Sequence, residues 1–354
     1  MKKNEHKDLN GVKEIARRAN VSIATVDRVI HNRIGVSEKT KEKIQKIIKD
    51  LNYQPNILAQ RLASRKTIRL ATLIPEGSDE TSFWEAPLKG IQEASDEVSK
   101  FGVVVETYFY DQNIKESFVD QSKKLLKSVP DGILIAPTFV EESVNFTEKC
   151  KEKGIPYVLI DSDLPNEGSL CYIGPDLYHS GYLNAHLISY LIKPSEKILI
   201  INISKEIENN HHLLKKEEGF RAYFKNRNRK ANIIRADIKK TDNRSIEKGL
   251  SKIMSQHTDI KLIFVTNSRV FDIAKFIENK KIDVLLIGYD FISKNIEFLE
   301  KAIIDFLICQ KPQEQAYKGI MALYNHLAIA LAVEKVHFMP IDIITKENYH
   351  FYKN

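Results

Sequence analysis

Several residue types are scarce in this chain of 354 residues, and each scarcity argues against a class of protein. The three cysteines, Cys150, Cys171 and Cys309, lie far apart, with neither the spacing of metal ligands nor that of a disulfide framework. No apolar run approaches the length of a membrane span. The N-terminal segment MKKNEHKDLN contains no hydrophobic stretch typical of a signal peptide. We therefore expect a soluble cytoplasmic protein without disulfides, a metal site or a membrane partner.

Motifs of common catalytic sites are also missing. The chain has no G-x-S-x-G nucleophile turn, no phosphate-binding loop and no G-x-G-x-x-G after its first predicted strand. The neighbouring His211 and His212 lack a third ligand at suitable spacing, and adjacent residues do not point at one metal ion. The sequence therefore predicts no enzyme, no catalytic residue and no cofactor.

The positive charge of the chain is confined to its start. The net charge is +7, but residues 1–66 contain 16 Lys and Arg against 7 Asp and Glu, so they carry +9 and the remainder carries −2. This distribution is typical of a phosphate-binding module attached to a nearly neutral body. A basic segment lying on a membrane surface would need a large apolar face, which this region lacks.

The stretch VKEIARRANVSIATVDRVIHN, residues 12–32, predicts two short helices joined by a tight turn. Apolar residues recur at helical spacing on one face of each half. Asn20 suits the left-handed backbone of a sharp turn, and Ser22 can cap the second helix. An ordinary helical hairpin is one interpretation. The other is a helix-turn-helix, whose second helix has an exposed face that fits a DNA major groove.

The residues that follow favour the DNA interpretation. Ser37 can cap a third helix with an apolar stripe, and a short helical pattern covers residues 57–63. The stretches VKEIARRANVSIATVDRVI, VSEKTKEKI and LNYQPNILAQRLASRKT occur in an order and spacing that closely resemble the headpiece and hinge of the lactose/galactose-repressor family. The resemblance implies a bacterial regulator that binds double-stranded operator DNA as a homodimer or a larger assembly.

The same resemblance assigns roles within the headpiece. Arg28 matches a position that reaches base edges, although a phosphate contact or a solvated face is the alternative. Ile23 and Ala24 match the positions that carry most operator preference, and here they can make only apolar contacts, such as with thymine methyl groups. Thr25 matches a position near the phosphate backbone or a thymine methyl group, and Ser22 can donate to phosphate as well as cap its helix. Asp27 departs from the small residue common in the family, which leaves the operator sequence open.

The resemblance also extends to the hinge. Leu62 matches the leucine that two paired hinge helices insert into the minor groove, and a surface leucine of a linker is the alternative. Asn56 and Ala59 match further contact and packing positions. Because isolated helices of this length are marginal in water, we expect the hinge helix to form only when two copies meet on DNA.

From Ile68 onward, apolar β-branched runs alternate with amphipathic helical patterns, which predicts parallel sheets with helical crossovers. This part resembles the periplasmic-binding-protein-like core of the same family, through SFWEAPLKGIQEA, DGILIAPT, GIPYVLIDSDL, EEGFRAYF and VLLIGYD. The predicted class is therefore α/β, with an N-terminal helix-turn-helix headpiece followed by a two-subdomain core with parallel sheets.

We predict the following boundaries. The headpiece covers residues 1–55, the hinge and linker 56–67, and the ligand-binding and dimerisation core 68–354. The resemblance implies three crossings between subdomains. It places residues 68–163 and 303–336 in the first subdomain, and 164–302 and 337–354 in the second.

Candidate ligand residues follow from strand ends, because doubly wound sheets bind ligands at the carboxyl ends of their strands. The aromatic pair Phe83 and Trp84 follows the first strand, where the family stacks a ligand ring; core packing is the alternative, less so for Trp84. Asp290 matches an acid that accepts hydrogen bonds from a ligand, unless it caps a loop. The further candidates are Asp161, His211, Lys216 and Asn267. Lys216 stands where the family usually has Arg, which would replace a bidentate fork by a point charge.

These patterns together predict a transcriptional regulator, in the first instance a repressor, controlled by a small polar effector such as a sugar or sugar derivative. The alternative is a sugar-binding or sugar-active protein that shares the α/β core without regulatory DNA binding. The sequence leaves open which effector binds, which operator is read and whether the effector releases or promotes DNA binding.

Overall fold

The computed structural model describes residues 11–30, 33–51, 53, 67–78, 80–164, 168–207 and 210–354. The chain divides into two compact units, Met1–Ala63 and Ser64–Asn354. Within the described ranges, no helix has both the length and the apolar character that crossing a bilayer requires.

The described residues of the first unit form three helices, α1 (Val12–Ala19), α2 (Ile23–Ile30) and α3 (Glu38–Asp50). Asn20 ends α1 in the left-handed conformation, at φ 55°, and its N–H donates to α1 carbonyls, which confirms the predicted turn. The Ser37 hydroxyl accepts from the Thr40 N–H at the start of α3, which confirms the predicted cap.

A small apolar core holds these helices together. Ile15 of α1, Val26 of α2 and Ile44 of α3 are fully buried, and Ala16, Ala19 and Val29 complete the cluster. The stripes predicted from helical spacing therefore pack against one another. As a result, the opposite face of α2 remains exposed to solvent.

The second unit is built on two six-stranded sheets. The first sheet has the order β11-β5-β4-β3-β1-β2 and is parallel throughout. The second has the order β12-β10-β9-β8-β6-β7 and is parallel except at β12. The strands are β1 (Ile68–Pro75), β2 (Val103–Tyr110), β3 (Gly132–Ile135), β4 (Tyr157–Ile160), β5 (Cys171–Gly174), β6 (Lys197–Ile203), β7 (Asn232–Ile238), β8 (Ile260–Val265), β9 (Leu285–Tyr289), β10 (Phe306–Cys309), β11 (Val336–Phe338) and β12 (Asp342–Ile344).

Helices cover both faces of the two sheets, as doubly wound folds require. They are α4 (Glu85–Ser99), α5 (Lys115–Lys127), α6 (Val140–Glu152), α7 (Leu177–Ile188), α8 (His211–Asn226), α9 (Asn243–Gln256), α10 (Val270–Lys280), α11 (Ser293–Glu300) and α12 (Pro312–Ile329). A short 3₁₀ helix, Tyr349–Phe351, follows near the C-terminus. Each sheet is buried between apolar clusters on its two faces. These sheets and helices match the predicted α/β class with a two-subdomain core.

The predicted subdomain assignment of β10 is wrong. Residues 303–336 were predicted to belong to the first subdomain, but β10 lies between β9 and β12 of the second sheet. Its buried side chains explain the position, because Leu307 and Cys309 pack in a cluster with Ile344 of β12. The helix that follows, α12, does pack on the first sheet, where Ala316 and Ile320 contact its apolar cluster.

The opposite correction applies to β5. Residues 164–302 were assigned to the second subdomain, yet β5 pairs with β4 in the first sheet. Cys171 and Ile173 are buried in the first sheet's cluster, whereas Ala185 and Ile188 of the next helix belong to the second. The chain thus leaves the first sheet after β5 and returns to it with α12. It crosses a third time between β11 and β12.

Candidate functional site

The start of α2 shows how a helix can present its side chains to a partner. Ser22 Oγ accepts from the Thr25 N–H at 3.1 Å and lies 2.9 Å from the Thr25 hydroxyl. This confirms the predicted Ser22 cap. Ile23 is 51% exposed, and Ala24 and Arg28 are also exposed. Ser22, Ile23 and Ala24 are therefore solvent-facing at the N-terminal end of α2, whereas Arg28 is exposed in its last turn.

Two acidic side chains of this unit pair with arginines close to them in the sequence. Asp27 accepts from Arg33 at 3.3 Å, so the acid that departs from the family pattern has a cationic neighbour. On α1, the Glu14 carboxylate accepts from Arg17 at 2.6 Å and Arg18 at 2.8 Å. These guanidinium contacts lower the pKa of Glu14 to about 2. The predicted hinge residues Asn56, Ala59 and Leu62 lie outside the described residues.

In the second unit, a crevice opens where the carboxyl ends of the two sheets face each other. Its cavity volume is about 80 Å³. This volume is several times the roughly 10–15 Å³ that one water molecule needs. Six of the seven predicted ligand residues line it: Phe83, Trp84, Asp161, Lys216, Asn267 and Asp290. The parallel topology brings them together from loops that are up to 207 positions apart.

The aromatic pair lies just before α4. Phe83 and Trp84 are largely buried, and their rings meet edge to face at 5.0 Å and 89°. Trp84 Nε1 donates to Gln112 Oε1 at 3.2 Å, which fixes the indole. The pair therefore contributes an apolar wall to the crevice and also belongs to the apolar cluster of the first sheet.

Two carboxylates leave the strands in a strained backbone conformation. Asp161, after β4, has φ 66°, and Asp290, after β9, has φ 75°. Burial raises the pKa of Asp290 to about 7, with a further increase from Asp161, while Lys216 opposes the shift. Burial also raises the pKa of Asp161. Both acids thus lack the solvation that a carboxylate needs.

Lys216 of α8 provides the cation near these acids. Its side chain is buried, and Nζ lies 3.4 Å from the Thr266 carbonyl oxygen and 3.7 Å from the centre of the Tyr289 ring. Burial lowers the pKa of Lys216, and the charges of Asp290 and Asp161 partly offset that effect.

The two remaining predicted residues differ in position. Asn267 lines the crevice, but its amide is used locally, since Nδ2 donates to the Ile203 carbonyl at 2.7 Å. His211 does not line it; its Nδ1 lies 3.3 Å from Asp163 Oδ1. The next residue, His212, lines the crevice instead, and burial lowers its pKa so that the ring is neutral. Because α8 begins at His211, the two rings point in different directions.

Sequence reasoning missed a clasp that joins the two subdomains across the crevice. Glu80, after β1, accepts from the Thr241 hydroxyl at 2.9 Å and lies 3.5 Å from Arg269 Nη1. Thr81 and Ser268 are also hydrogen-bonded, at 2.9 Å. The sequence shows a run of polar residues after the buried strand β1, which could have indicated a site. That run does not indicate which distant residue each side chain contacts.

Two buried amides were missed as well. Gln310, directly after β10, donates from Nε2 to Asp290 Oδ1 at 3.4 Å, while its Oε1 has no partner among the described residues. Asn210, at the start of α8, donates to Ser204 Oγ, and its Oδ1 likewise meets no donor in the part of the chain that the structure describes. The incorrect placement of β10 hid Gln310 from the sequence prediction. The crevice therefore offers an apolar wall beside several hydrogen-bond acceptors, which suits a molecule with a C–H face and polar donors.

The described residues do not meet the requirements of a metal site. Within the described residues, no group of three or more His, Cys, Asp or Glu side chains is arranged to hold a metal ion.

Comparison with known proteins identifies the family. Residues 11–56 match the lacI family of bacterial regulatory proteins, and residues 71–330 match the periplasmic binding protein domain. A solved structure from Bacteroides fragilis, proposed to be a LacI transcriptional regulator, is 30% identical with a TM-score of 0.77, covering 81% of this chain and all of that one. This chain belongs to the LacI family. Its two units correspond to the two matched regions.

This LacI-family chain is also similar to individual regulators and to a sugar-binding protein. The transcriptional regulator RegA of Clostridium acetobutylicum is 27% identical over 183 residues, or 51% of this chain and 52% of that protein. The chain spans about half the length of the curated relatives it matches. The fold also matches GanP, a glucose-galactose binding protein of Geobacillus stearothermophilus, at 22% identity and a TM-score of 0.71, covering 80% of this chain and 99% of that one.

Proposed function

We propose that this LacI-family protein is a transcriptional repressor that binds operator DNA through α2 and senses a small polar effector in the crevice. The observation that supports it best is the presence of both devices in one chain. One unit exposes a capped helix with Ile23, Ala24 and Arg28 on its surface, and the other buries charged side chains around a cavity.

On DNA, α2 enters the major groove. Arg28 pairs with a guanine edge, and Ile23 and Ala24 contact thymine methyl groups. Ser22 and Thr25 lie against phosphate, where the helix N-terminus favours an anion. In the hinge, Asn56, Ala59 and Leu62 contact the minor groove. The protein acts in the cytoplasm, where its operator is.

The regulator acts as a homodimer at least. Two hinge helices must meet to widen the minor groove, and one crevice per subunit reports on the effector. The dimer face of the first subdomain includes α4 and α12, which pack side by side through Gly90 of α4. Leu88 on α4 is a large apolar residue that remains 38% exposed in the single chain. Light scattering at micromolar concentration tests this, and a monomer would contradict the paired hinge.

The effector is a sugar or sugar derivative that packs on Trp84 and Phe83 and donates hydroxyl hydrogen bonds to Asp161 and Asp290. Regulation requires that the effector bind the two conformations of the protein with different affinity. The clasp from Glu80 to Thr241 links the subdomains in the conformation described here, so opening the crevice would break it.

Gel shift with genomic fragments, run beside turnover assays on candidate sugars, tests the proposal against a sugar-active protein. We expect sequence-specific shifts that respond to effector, without turnover. Turnover without any DNA shift would overturn the proposal.

A further inference from the structure

The crevice has little positive charge to offer a ligand. Of the described side chains that line it, Lys216 and Arg269 are cationic, whereas Glu80, Asp161 and Asp290 are carboxylates. With all five ionised, the lining carries a formal charge of −1. Such a lining repels an anionic ligand, and repulsion is strong where water is excluded.

Arg269 is already occupied by the protein. Its Nε donates to Asp272 Oδ2 at 2.8 Å, and Nη2 lies 2.8 Å from the same oxygen and donates to the Thr241 carbonyl at 2.7 Å. Its Nη1 lies 3.5 Å from Glu80 Oε2. The guanidinium that could grip a phosphate is therefore held by two carboxylates and a backbone carbonyl.

Lys216 is also constrained. Its ammonium is held between the Thr266 carbonyl oxygen and the face of Tyr289. Asp161 and Asp290 stabilise its charge from the crevice side. A ligand anion would have to compete with both acids for a single buried ammonium.

Among the described residues, the crevice groups without a hydrogen-bond partner are acceptors. The Asp161 backbone N–H donates to Gln315 Oε1 at 2.9 Å, but no described residue donates to the Asp161 carboxylate. Asp290 receives one long bond, from Gln310 at 3.4 Å. The oxygens Gln310 Oε1 and Asn210 Oδ1 are buried, in residues 3% and 8% exposed, and no described residue donates to either. Buried acceptors without donors are unfavourable, so a ligand that supplies donors is selected.

We propose that the effector of this crevice is a small donor-rich molecule without phosphate or carboxylate, a neutral or amine-bearing monosaccharide in its chemistry. Its hydroxyl or ammonium groups donate to Asp161 and Asp290, and a further hydroxyl donates to Gln310 Oε1. This inference rests on the proposed function, which makes the crevice the effector site. It adds that phosphorylated sugars and uronic acids are excluded.

Isothermal titration calorimetry of the full-length protein tests this with matched probes. The probes are glucose, galactose and ribose, the amines glucosamine and galactosamine, and the anions glucose 6-phosphate, galactose 6-phosphate, ribose 5-phosphate and glucuronate. We expect binding of at least one neutral or amine-bearing probe, with each anionic probe weaker than its parent by about tenfold or more. An anion that binds as tightly as its parent would overturn the inference, and so would a panel in which nothing binds.

A charge-neutralising variant sharpens the test. Asp161→Asn combined with Asp290→Asn leaves Lys216 without its acids, so the discrimination against glucose 6-phosphate relative to glucose should fall by about tenfold. Asp259→Asn is the matched control, because that exposed acid pairs with Lys197 away from the crevice. Unchanged discrimination in the double variant would contradict the electrostatic explanation.

Gel shift on the same preparation separates the two proposals. Intact DNA binding beside a failed ligand panel would reject the ligand class and leave the regulator proposal standing. Selective binding of neutral sugars without any DNA binding would reject the regulator and retain the ligand class.

Discussion

The surface of α2 and the crevice of the second unit differ in how the sequence brings their side chains together. At the start of α2 and along it, the five proposed DNA-contact residues lie within one stretch of seven positions, from Ser22 to Arg28, and most face solvent. In the crevice, they come from loops between Glu80 and Gln310, and most are buried. A single helix can therefore present a surface that fits a polymer such as DNA. A site that encloses a small molecule needs side chains from many parts of the fold.

The largest expected effect comes from separating the two units. Deleting residues 1–66 should abolish operator binding, because the entire basic excess lies there. The remaining chain should still fold and bind effector, since its sheets and crevice are formed by residues 68–344. Gel shift and calorimetry on the truncated protein check this. A truncated protein that still shifts DNA would show that the comparison assigns DNA binding to the wrong region.

Within the first unit, Arg28→Ala tests local readout. Losing a bidentate guanine contact should weaken operator binding by about 1–3 kcal/mol and relax preference at one base pair. Lys46→Ala, on the exposed face of α3, is the control for general phosphate attraction. Binding to a library of operator variants measures both. If Arg28→Ala weakens all sequences equally, Arg28 contacts phosphate.

In the crevice, Asp290→Ala should weaken effector binding by about 1.5–3 kcal/mol, the worth of a hydrogen bond to a charged group. Ligand-free DNA affinity should not change, because Asp290 is not part of the DNA-binding unit. Calorimetry and fluorescence anisotropy provide the two readouts. An unchanged effector affinity would place the pocket elsewhere.

A smaller effect concerns Trp84, the only tryptophan in the chain. Effector packing on its face should change the intrinsic fluorescence, and Trp84→Ala should weaken binding by about 0.5–1.5 kcal/mol beyond the loss of buried area. Circular dichroism should verify that the variant folds. Saturating effector with no change in emission would argue that the indole only fills the core.

The two regions should also differ in the sign of their response to pH. Glu14 has a folded-state pKa lowered to about 2, so its contribution to stability is present above pH 4.5 and is lost as the pH falls toward 2. Asp290 has a folded-state pKa raised to about 7, so its contribution is present below pH 3.8 and is lost as the pH rises through 7. Among the described residues, the polar or titratable side chains that interact with the Asp290 carboxyl are Lys216, Asp161, Gln310, Tyr289, Cys309 and Tyr352.

Calorimetric scans against Glu14→Gln and Asp290→Asn measure this difference. The wild-type protein should lose stability relative to Asp290→Asn as the pH rises from 3.8 to about 7, and relative to Glu14→Gln as the pH falls from 4.5 to about 2. Parallel curves for the wild-type protein and Asp290→Asn would mean that Asp290 is solvated.

The sequence predicted most of the local structure and the chemical type of the site. The apolar runs Val103–Tyr110 and Lys197–Ile203 predict strands, and the amphipathic pattern of Lys115–Lys127 predicts a helix. The structure gives β2, β6 and α5 the same bounds, because each has strong periodicity and clear ends. Long-range pairing was harder. The apolar run of β10 fits either sheet, and only its packing beside Ile344 decides the sheet it joins.

The site shows the same limit. Asp290 and Trp84 could be predicted because each follows a strand that the family resemblance aligned. Arg269 and Glu80 could not, because their contact joins positions 189 residues apart and no local pattern encodes it. The sequence predicted that His211 would contact the ligand, whereas His212 lines the cavity. The residue at which α8 begins determines which of the two rings faces the cavity, and the sequence did not define that residue.

In the proposed mechanism, the effector bound in the crevice controls DNA binding by this chain. The most direct test of this mechanism is fluorescence anisotropy on a duplex selected by the full-length protein from a random library, titrated with and without a saturating monosaccharide that calorimetry has shown to bind. We predict a shift of at least about tenfold in DNA affinity, equal to a coupling free energy of about 1.4 kcal/mol, and its loss in Asp290→Ala at the same ligand concentration. DNA affinity that stays the same while the ligand fills the crevice would contradict the mechanism.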